Sequence, residues 1–255
     1  MIRIVRPREP DALGPARAIG LQAARAAVRT GAKLELTGYE VVKAELAEMQ
    51  HGKCCYCEKR EEQAKYRDIE HYRPKSTYWW LAWTWENLLF ACMDCNRELK
   101  GDQFPLSSDS DRLVAEQDPP GGERPLVLDP TDAAHDPAAE IEFRRDKLHG
   151  RERWKPYGLT ERGRRTIEVC GLDRPTLLTL YRDHVNDHMR EKVEKIHTAH
   201  RDANAQAVVK AWDTARRSLL APARPFRALS YDALRVLVSS ELRERYRLDL
   251  QRPTL

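Results

Sequence analysis

The residues best suited to chemistry fall within one stretch, Cys54 to Asp102. It opens with Cys54-Cys55-Tyr56-Cys57, continues through Asp68-Ile69-Glu70-His71 and Trp85-Glu86-Asn87, and closes on Cys92-Met93-Asp94-Cys95-Asn96 and Lys100-Gly101-Asp102. Two C-x-x-C pairs, Cys54/Cys57 and Cys92/Cys95, are separated by 34 residues. Each pair can supply half of a tetrahedral four-sulfur shell, so the pattern reads as zinc. Four thiolates leave no coordination position for water or substrate, which makes this zinc structural. Cys55 and Cys170 are left over.

A plain zinc ribbon has no need of Glu70, His71, Asn87 and Asn96, and these are the residue types that phosphodiester hydrolysis uses. That reaction takes a base to activate water and a cation to stabilise charge on the phosphate and leaving oxygen. A neutral imidazole suits the first task, its ordinary pKa being about 6.5. A carboxylate and an amide oxygen suit the second, as hard ligands that leave Mg²⁺ most of its waters. On an ideal strand Glu70 and His71 point to opposite faces, so both can serve one site only through a bend before Pro74. Lys75, Arg97 and Lys100 are placed to hold phosphates, or are ordinary solvated charges.

The elements that must position these groups are mostly helices. The Ala-rich segment Pro10–Arg29 reads as a helix capped by Gly31, and Tyr39, Val42, Leu46 and Met49 mark a second, closed by Gly52. Asp68–Tyr72 reads as extended before Arg73-Pro74, Asn87–Ala91 as a second strand, and Asp94–Leu99 as a short helix. Pro125–Pro130 and Ile141–Phe143 look like further strands. A long helix starts at Asp173 and Pro175, with Leu178, Tyr181, Val185, Met189, Val193, Ile196 and His200 along one face, and a final helix follows Ser230. The expected class is α+β, mainly helical, with a strand-strand-helix metal motif embedded among helices. The expected segments are 1–50, N-terminal helices; 51–106, the zinc-bound module; 107–150, an acidic loop with short strands; and 151–255, a helical region.

Charged residues make up 33% of the 255 and the mean hydropathy is −0.70. Apolar runs such as Leu88–Cys92 fall far short of the ~20 residues of a membrane span. No apolar stretch follows Met1–Pro7 as a signal peptide requires, so a cytoplasmic location is expected. In such a reducing compartment the cysteines are not expected to pair as disulfides. The net charge of +4 permits a polyanionic partner without demanding one. Its distribution is uneven: Arg144–Arg165 holds nine Lys/Arg against three Asp/Glu, and Ser107–Glu142 holds ten Asp/Glu against two Arg. The first is a backbone-binding surface or a solvated face; the second would repel nucleic acid and fits a cover over the site or a partner contact.

The string Glu70-His71, Asn87, Cys95-Asn96 and Lys100-Gly101-Asp102, flanked by the two C-x-x-C pairs, resembles the HNH (ββα-metal) endonucleases in their zinc-bound form. The resemblance implies His71 as general base, Glu70 and Asn96 as ligands of a catalytic Mg²⁺ or Mn²⁺, and Asn87 as the brace of the loop that holds His71. The usual Asp before the His is Glu here, and the last letter is Asn rather than His. Arg6-Pro7, His51-Gly52-Lys53-Cys54, Glu70–Ser76, Trp85–Leu89, Gly101–Pro105, Pro125–Pro130 and Thr166–Leu172 together resemble a narrower group, the HNH nuclease subunit of Septu-type and retron-associated anti-phage systems. This wider resemblance covers most of residues 1–190. It implies a DNA-cleaving effector, with RNA left open as substrate, that works with an ABC/SMC-type ATPase.

Blander assignments compete at several positions. Asn96 could cap its short helix. The indoles of Trp79, Trp80, Trp83 and Trp85 are expected to pack around a small core or meet a partner rather than stack on bases. His184, His188, His197 and His200 have metal-compatible spacing, but packing and solvent are the expected roles. The rival to an enzyme is a non-catalytic zinc adaptor that binds nucleic acid and an ATPase.

Overall fold

The computed structural model describes residues 1–148 and 151–253, and among these the fold is α+β, with nine α-helices and two antiparallel two-stranded sheets. Helix α1 (Leu13–Thr30) ends as its sequence implies: Gly31 takes φ 69°, a left-handed conformation open to glycine, and donates to the Ala27 and Val28 carbonyls. Gly20 on α1 lets the Trp83 indole approach so closely that a Cβ would lie 2.3 Å from its ring. The second predicted helix begins as a 3₁₀ turn, Tyr39–Val42, before α2 (Lys43–Met49).

Strands β1 (Arg67–His71) and β2 (Leu88–Cys92) pair antiparallel with His71 opposite Leu88 and Arg67 opposite Cys92. Between them the chain from Tyr72 to Trp85 folds into a loop whose indoles are buried as packing groups. Trp80, Trp83 and Trp85 donate to the carbonyls of Gln117, Thr37 and Pro7. After β2 comes a wide helix, Asp94–Lys100, in which Gly101 N bonds to Asn96 O five residues back. The first residues of the chain close this region from outside. Ile4 N donates to Pro130 O, and the Arg6 guanidinium donates to the Trp85 and Leu88 carbonyls at 2.7 and 2.8 Å.

The acidic segment is irregular, and the strand expected at Pro125–Pro130 is absent. Its backbone polar groups are met one by one: Leu126 N donates to Pro105 O, Pro130 O accepts from Ile4 N, Tyr72 Oη donates to Val127 O, and Leu128 N donates to Thr166 Oγ1. A short helix, α3 (Pro137–Glu140), leads into the hairpin of β3 (Ile141–Leu148) and β4 (Arg151–Gly158). The expected boundary at 150/151 falls inside this hairpin, and buried side chains from all four expected segments join one core. The basic run Arg144–Arg165 makes up most of the hairpin and the start of α4 (Glu161–Val169); His149 and Gly150 within it lie outside the described residues. Several of its charges are paired locally, as in Arg153–Asp146 and Arg144–Glu142.

Beyond α4 the chain is helical. The long predicted helix is α5 (Pro175–His184) and α6 (Arg190–Arg201) joined through a wide turn, Val185–Met189, and it packs on α7 (Ala205–Leu219). The predicted final helix is two. Helix α8 (Arg227–Leu237) stops at Val238, which is extended, and Ser239 caps α9 (Ser240–Arg245) by accepting from Leu242 N. A serine able to cap competes with continuation of the helix, and here it wins. The helical histidines serve packing: His184 bonds Ser230 Oγ, His197 bonds Leu237 O and His200 bonds Tyr246 Oη.

Candidate active site

The knuckle Lys53–Arg60 turns tightly, with Glu58 N bonded to Cys54 O, and is tied to β2 by Cys55 N to Phe90 O. Gln50 clamps the same place, accepting from Phe90 N and donating to the Phe90 and Lys53 carbonyls. These bonds bring Cys54 and Cys57 against Cys92 and Cys95, with all four sulfurs within 4.8 Å of one another and all four side chains buried. Cys57 Sγ lies 3.9 Å from Cys92 Sγ. A tetrahedral ion with metal–sulfur bonds of about 2.3 Å requires sulfurs about 3.8 Å apart, so the donor set fits a structural metal such as zinc. Burial raises the Cys54 thiol, yet hydrogen bonds from Cys55 and from the other three cysteines outweigh it and hold that thiol well below its ordinary pKa. Arg174, just before α5, donates to Cys95 Sγ at 3.6 Å and pairs with Asp94 at 3.2 Å. Such a cation stabilises thiolate charge from outside the ligand shell.

On the other side of the Asp94–Lys100 helix lies a cleft of about 390 Å³, lined among others by Tyr39, Asp68, Glu70, His71, Lys75, Asn96 and Arg97. His71 ends β1 and is held by two contacts. Its Nε2 is 3.0 Å from Ala82 O, and its ring meets Tyr39 edge-on at 4.5 Å. A carbonyl can only accept, so Nε2 carries the proton and the Nδ1 lone pair is free; Nδ1 has no hydrogen-bond partner among the described residues. Burial drives the His71 pKa down to about 3, with the Ala82 bond opposing and Lys75 and Lys100 adding to the fall. The imidazole is therefore neutral at physiological pH.

Asn87 ties together the loop that carries Ala82. Its Oδ1 accepts from Arg73 N at 2.8 Å, and its Nδ2 donates to the Arg73 and Leu81 carbonyls at 3.0 and 3.2 Å. The Asn87 carbonyl also accepts from Tyr72 N. All of these bonds bear on residues that flank His71 or the carbonyl orienting it.

Glu70 lines the same cleft as Asp68, His71 and Asn96, whereas Lys100 stands elsewhere than expected. Glu70 is 1% exposed and its Oε1 sits 2.6 Å from Lys100 Nζ and 3.1 Å from Tyr56 Oη. Lys100 is fully buried, and its Nζ also donates to His71 O. It is a brace behind His71, not a surface cation for phosphate. Lys75 does line the cleft, lying 4.4 Å above the Tyr39 ring and bonded to the Tyr39 hydroxyl.

Asp68 escaped the sequence reading, although it stands two residues before Glu70 on the same face. Its carboxylate meets Asn96 Nδ2 at 3.3 Å and is held by Arg97 through two bonds of 2.6 and 2.8 Å. Asp68 and Asn96 offer hard oxygen donors in the cleft that holds His71, a set suited to Mg²⁺ or Mn²⁺ rather than to a soft metal. The acidic stretch does not cover this cleft, since none of residues 107–142 lines it. It lies instead against the Tyr72–Trp85 loop, where buried Glu123 bonds Arg73 at 2.8 Å and the Tyr78 hydroxyl.

The chain matches no protein-family model and no solved structure. It is similar to two curated proteins. Septu protein PtuB of Bacillus mycoides (strain KBAB4) is 33% identical over 207 residues, a match covering 69% of this chain and 64% of that protein. Septu protein PtuB of Bacillus thuringiensis is 47% identical over 60 residues, 23% of each chain. The chain thus spans just under two thirds of the first relative's length and about a quarter of the second's. Across the longer alignment, the chain is a homologue of Septu protein PtuB.

Proposed function

We propose that the chain is a metal-dependent HNH endonuclease that hydrolyses phosphodiester bonds, with DNA as substrate, and that it acts as the nuclease subunit of a Septu-type anti-phage complex with an ABC/SMC-type ATPase. The observation that carries the chemistry is the Ala82 carbonyl on His71 Nε2, which leaves Nδ1 as a neutral base in the cleft beside Asp68 and Asn96. His71 takes the proton from an attacking water at Nδ1. Tyr39 and the Asn87-braced loop keep the imidazole oriented. Lys75 lends positive charge at the rim of the cleft. Mg²⁺ or Mn²⁺ held by the oxygen donors of this cleft would supply charge stabilisation to the scissile phosphate and the leaving oxygen. The resemblance assigns Glu70 and Asn96 to that cation, and the cysteine cluster supplies the rigid frame. The similarity to the Septu proteins supports the defence setting and the partnership.

The test compares the purified chain with its His71→Ala variant, each with and without the ATPase, on plasmid and on total RNA in Mg²⁺ or Mn²⁺. Loss of a general base is expected to slow cleavage about 10²-fold or more while zinc content stays unchanged. Cleavage of RNA alone would move the substrate, equal cleavage by both proteins would sink the His71 mechanism, and no cleavage by either would leave a zinc adaptor.

A further inference from the structure

We infer that Glu123, far along the chain in the acidic segment, is a positioning residue for His71: it anchors the loop whose Ala82 carbonyl decides which imidazole nitrogen carries the proton. The inference rests on the nuclease reading and concerns where that proton sits at constant charge.

The Tyr72–Trp85 loop is gripped in two ways. Asn87 holds its backbone, at Arg73 and Leu81. Glu123 holds its side chains: Oε2 accepts from Arg73 Nε at 2.8 Å, and Oε1 accepts from the Tyr78 hydroxyl and, at 3.2 Å, from Leu113 N. The Glu123 carboxylate is fully buried and the Arg73 side chain is 11% exposed, and no other carboxylate lies within ion-pair reach of Arg73 among the described residues. Removing Glu123 therefore strands a nearly buried guanidinium without its counter-charge, a strong penalty that is relieved as the loop carries Arg73 toward water. The N–H and C=O of this same residue are groups that Asn87 holds, so the movement pulls on both grips. Ala82 follows Leu81, which Asn87 also binds, and Trp80 is tied to the acidic segment through Gln117 O at 2.9 Å. A displaced Ala82 carbonyl no longer accepts from His71 Nε2. The two nitrogens of the neutral ring then compete for one proton, and a molecule protonated at Nδ1 has no lone pair there to take a proton from water.

Long-range proton–nitrogen NMR of the zinc-loaded chain, isotopically labelled at the histidine nitrogens, distinguishes the two tautomers without substrate. The His71 signals, assigned by their absence from His71→Ala, are expected to show the Nε2–H form alone in the parent and a mixture of both forms in Glu123→Ala. Glu123→Gln, which keeps an acceptor for Arg73 but not the charge, should show a smaller share of the second form. In cleavage assays Glu123→Ala is expected to lower kcat about tenfold or more, with KM within about twofold of the parent. In a His71→Ala background the same substitution should change cleavage by less than about twofold, because no base is left to misplace. A single Nε2–H form in Glu123→Ala, or an equal loss of kcat with and without His71, overturns the proposal. Should Glu123→Ala fail to fold, as zinc content and circular dichroism would reveal, the outcome is read from Glu123→Gln, where a single Nε2–H form overturns it equally. A failed nuclease reading looks different: the tautomers shift as expected, yet His71→Ala cleaves like the parent or neither protein cleaves.

Discussion

The cysteine cluster and the cleft share one short helix, Asp94–Lys100, yet they treat their polar groups in opposite ways. Cys95 faces the cluster, where four buried sulfurs satisfy one another and Arg174 closes the set from outside. Asn96, the next residue, faces the cleft, where His71 keeps a free nitrogen and Asp68 is held only by an exposed arginine. The closed side holds position; the open side keeps ligand capacity in reserve. Two further buried devices, Glu70–Lys100 and Asn87, connect them.

The sharpest way to break this comparison is to remove the closed side. Structural zinc in small domains contributes about 10–16 kcal/mol of folding energy, so Cys95→Ser or prolonged chelation should abolish cooperative melting of the region around the knuckle. Circular dichroism and metal analysis check this, and an unchanged melting curve in metal-free protein would remove the structural role. Next in size is the brace between the two sides. Lys100→Met alone should cost about 3–5 kcal/mol by leaving Glu70 unpaired, and adding Glu70→Gln should restore part of that loss. Denaturant titration of the two single variants and the double gives the coupling directly. Asn87→Ala, which leaves the Arg73 N–H and the Arg73 and Leu81 carbonyls without their partner, should cost about 1–3 kcal/mol and slow any cleavage that depends on His71.

A pH effect comes from a histidine on α5 that belongs to neither side. Burial, aided by His188, lowers His184 to about 4 in the native state, against about 6.5 when unfolded. The unfolded chain therefore binds a proton that the native chain refuses, and stability should fall as pH drops from about 6.5 toward 4, by about 3 kcal/mol in total. The decline should flatten below that range. Urea midpoints for the parent and His184→Gln should diverge above pH 4 and converge near it. The smallest effect belongs to the surface: Arg25→Ala, which removes the exposed pair with Glu116, should leave the melting temperature unchanged within error.

The cysteine spacing made the closed side legible because metal coordination is a local demand, met by two short motifs in a fixed order. The strand-strand-helix order and α1 with its glycine cap were legible for the same reason. The open side was only half legible. His71, Glu70 and Asn96 line the cleft and Asn87 braces the loop, but Lys100 read as a phosphate-holding charge because its burial against Glu70 is a tertiary fact. Asp68 could have been found from the two-residue period of β1, which places it on the face of Glu70 one pleat closer to Asn96. Arg174 gave no such signal, since its role depends on α5 packing against a cluster 79 residues earlier. The missing strand at Pro125–Pro130 failed for a related reason: scattered backbone and side-chain partners from several elements answer its polar groups, and an apolar run does not announce them.

The docking of Arg6 has a consequence for the order of events during synthesis. Its guanidinium caps the carbonyls that terminate the Tyr72–Trp85 loop, and Ile4 pairs with Pro130. Arg6 thus has no seat until Trp85 and Leu88 are in place, and Ile4 has none until Pro130 is. Contacts this far apart in sequence are costly to close and form late. The chain near Arg6 is expected to wait, undocked, while α1, α2 and the knuckle take shape, and to fasten the loop behind His71 only afterwards. Order in the cleft would then lag assembly of the cysteine knuckle, so the chain acquires its frame before its cleft.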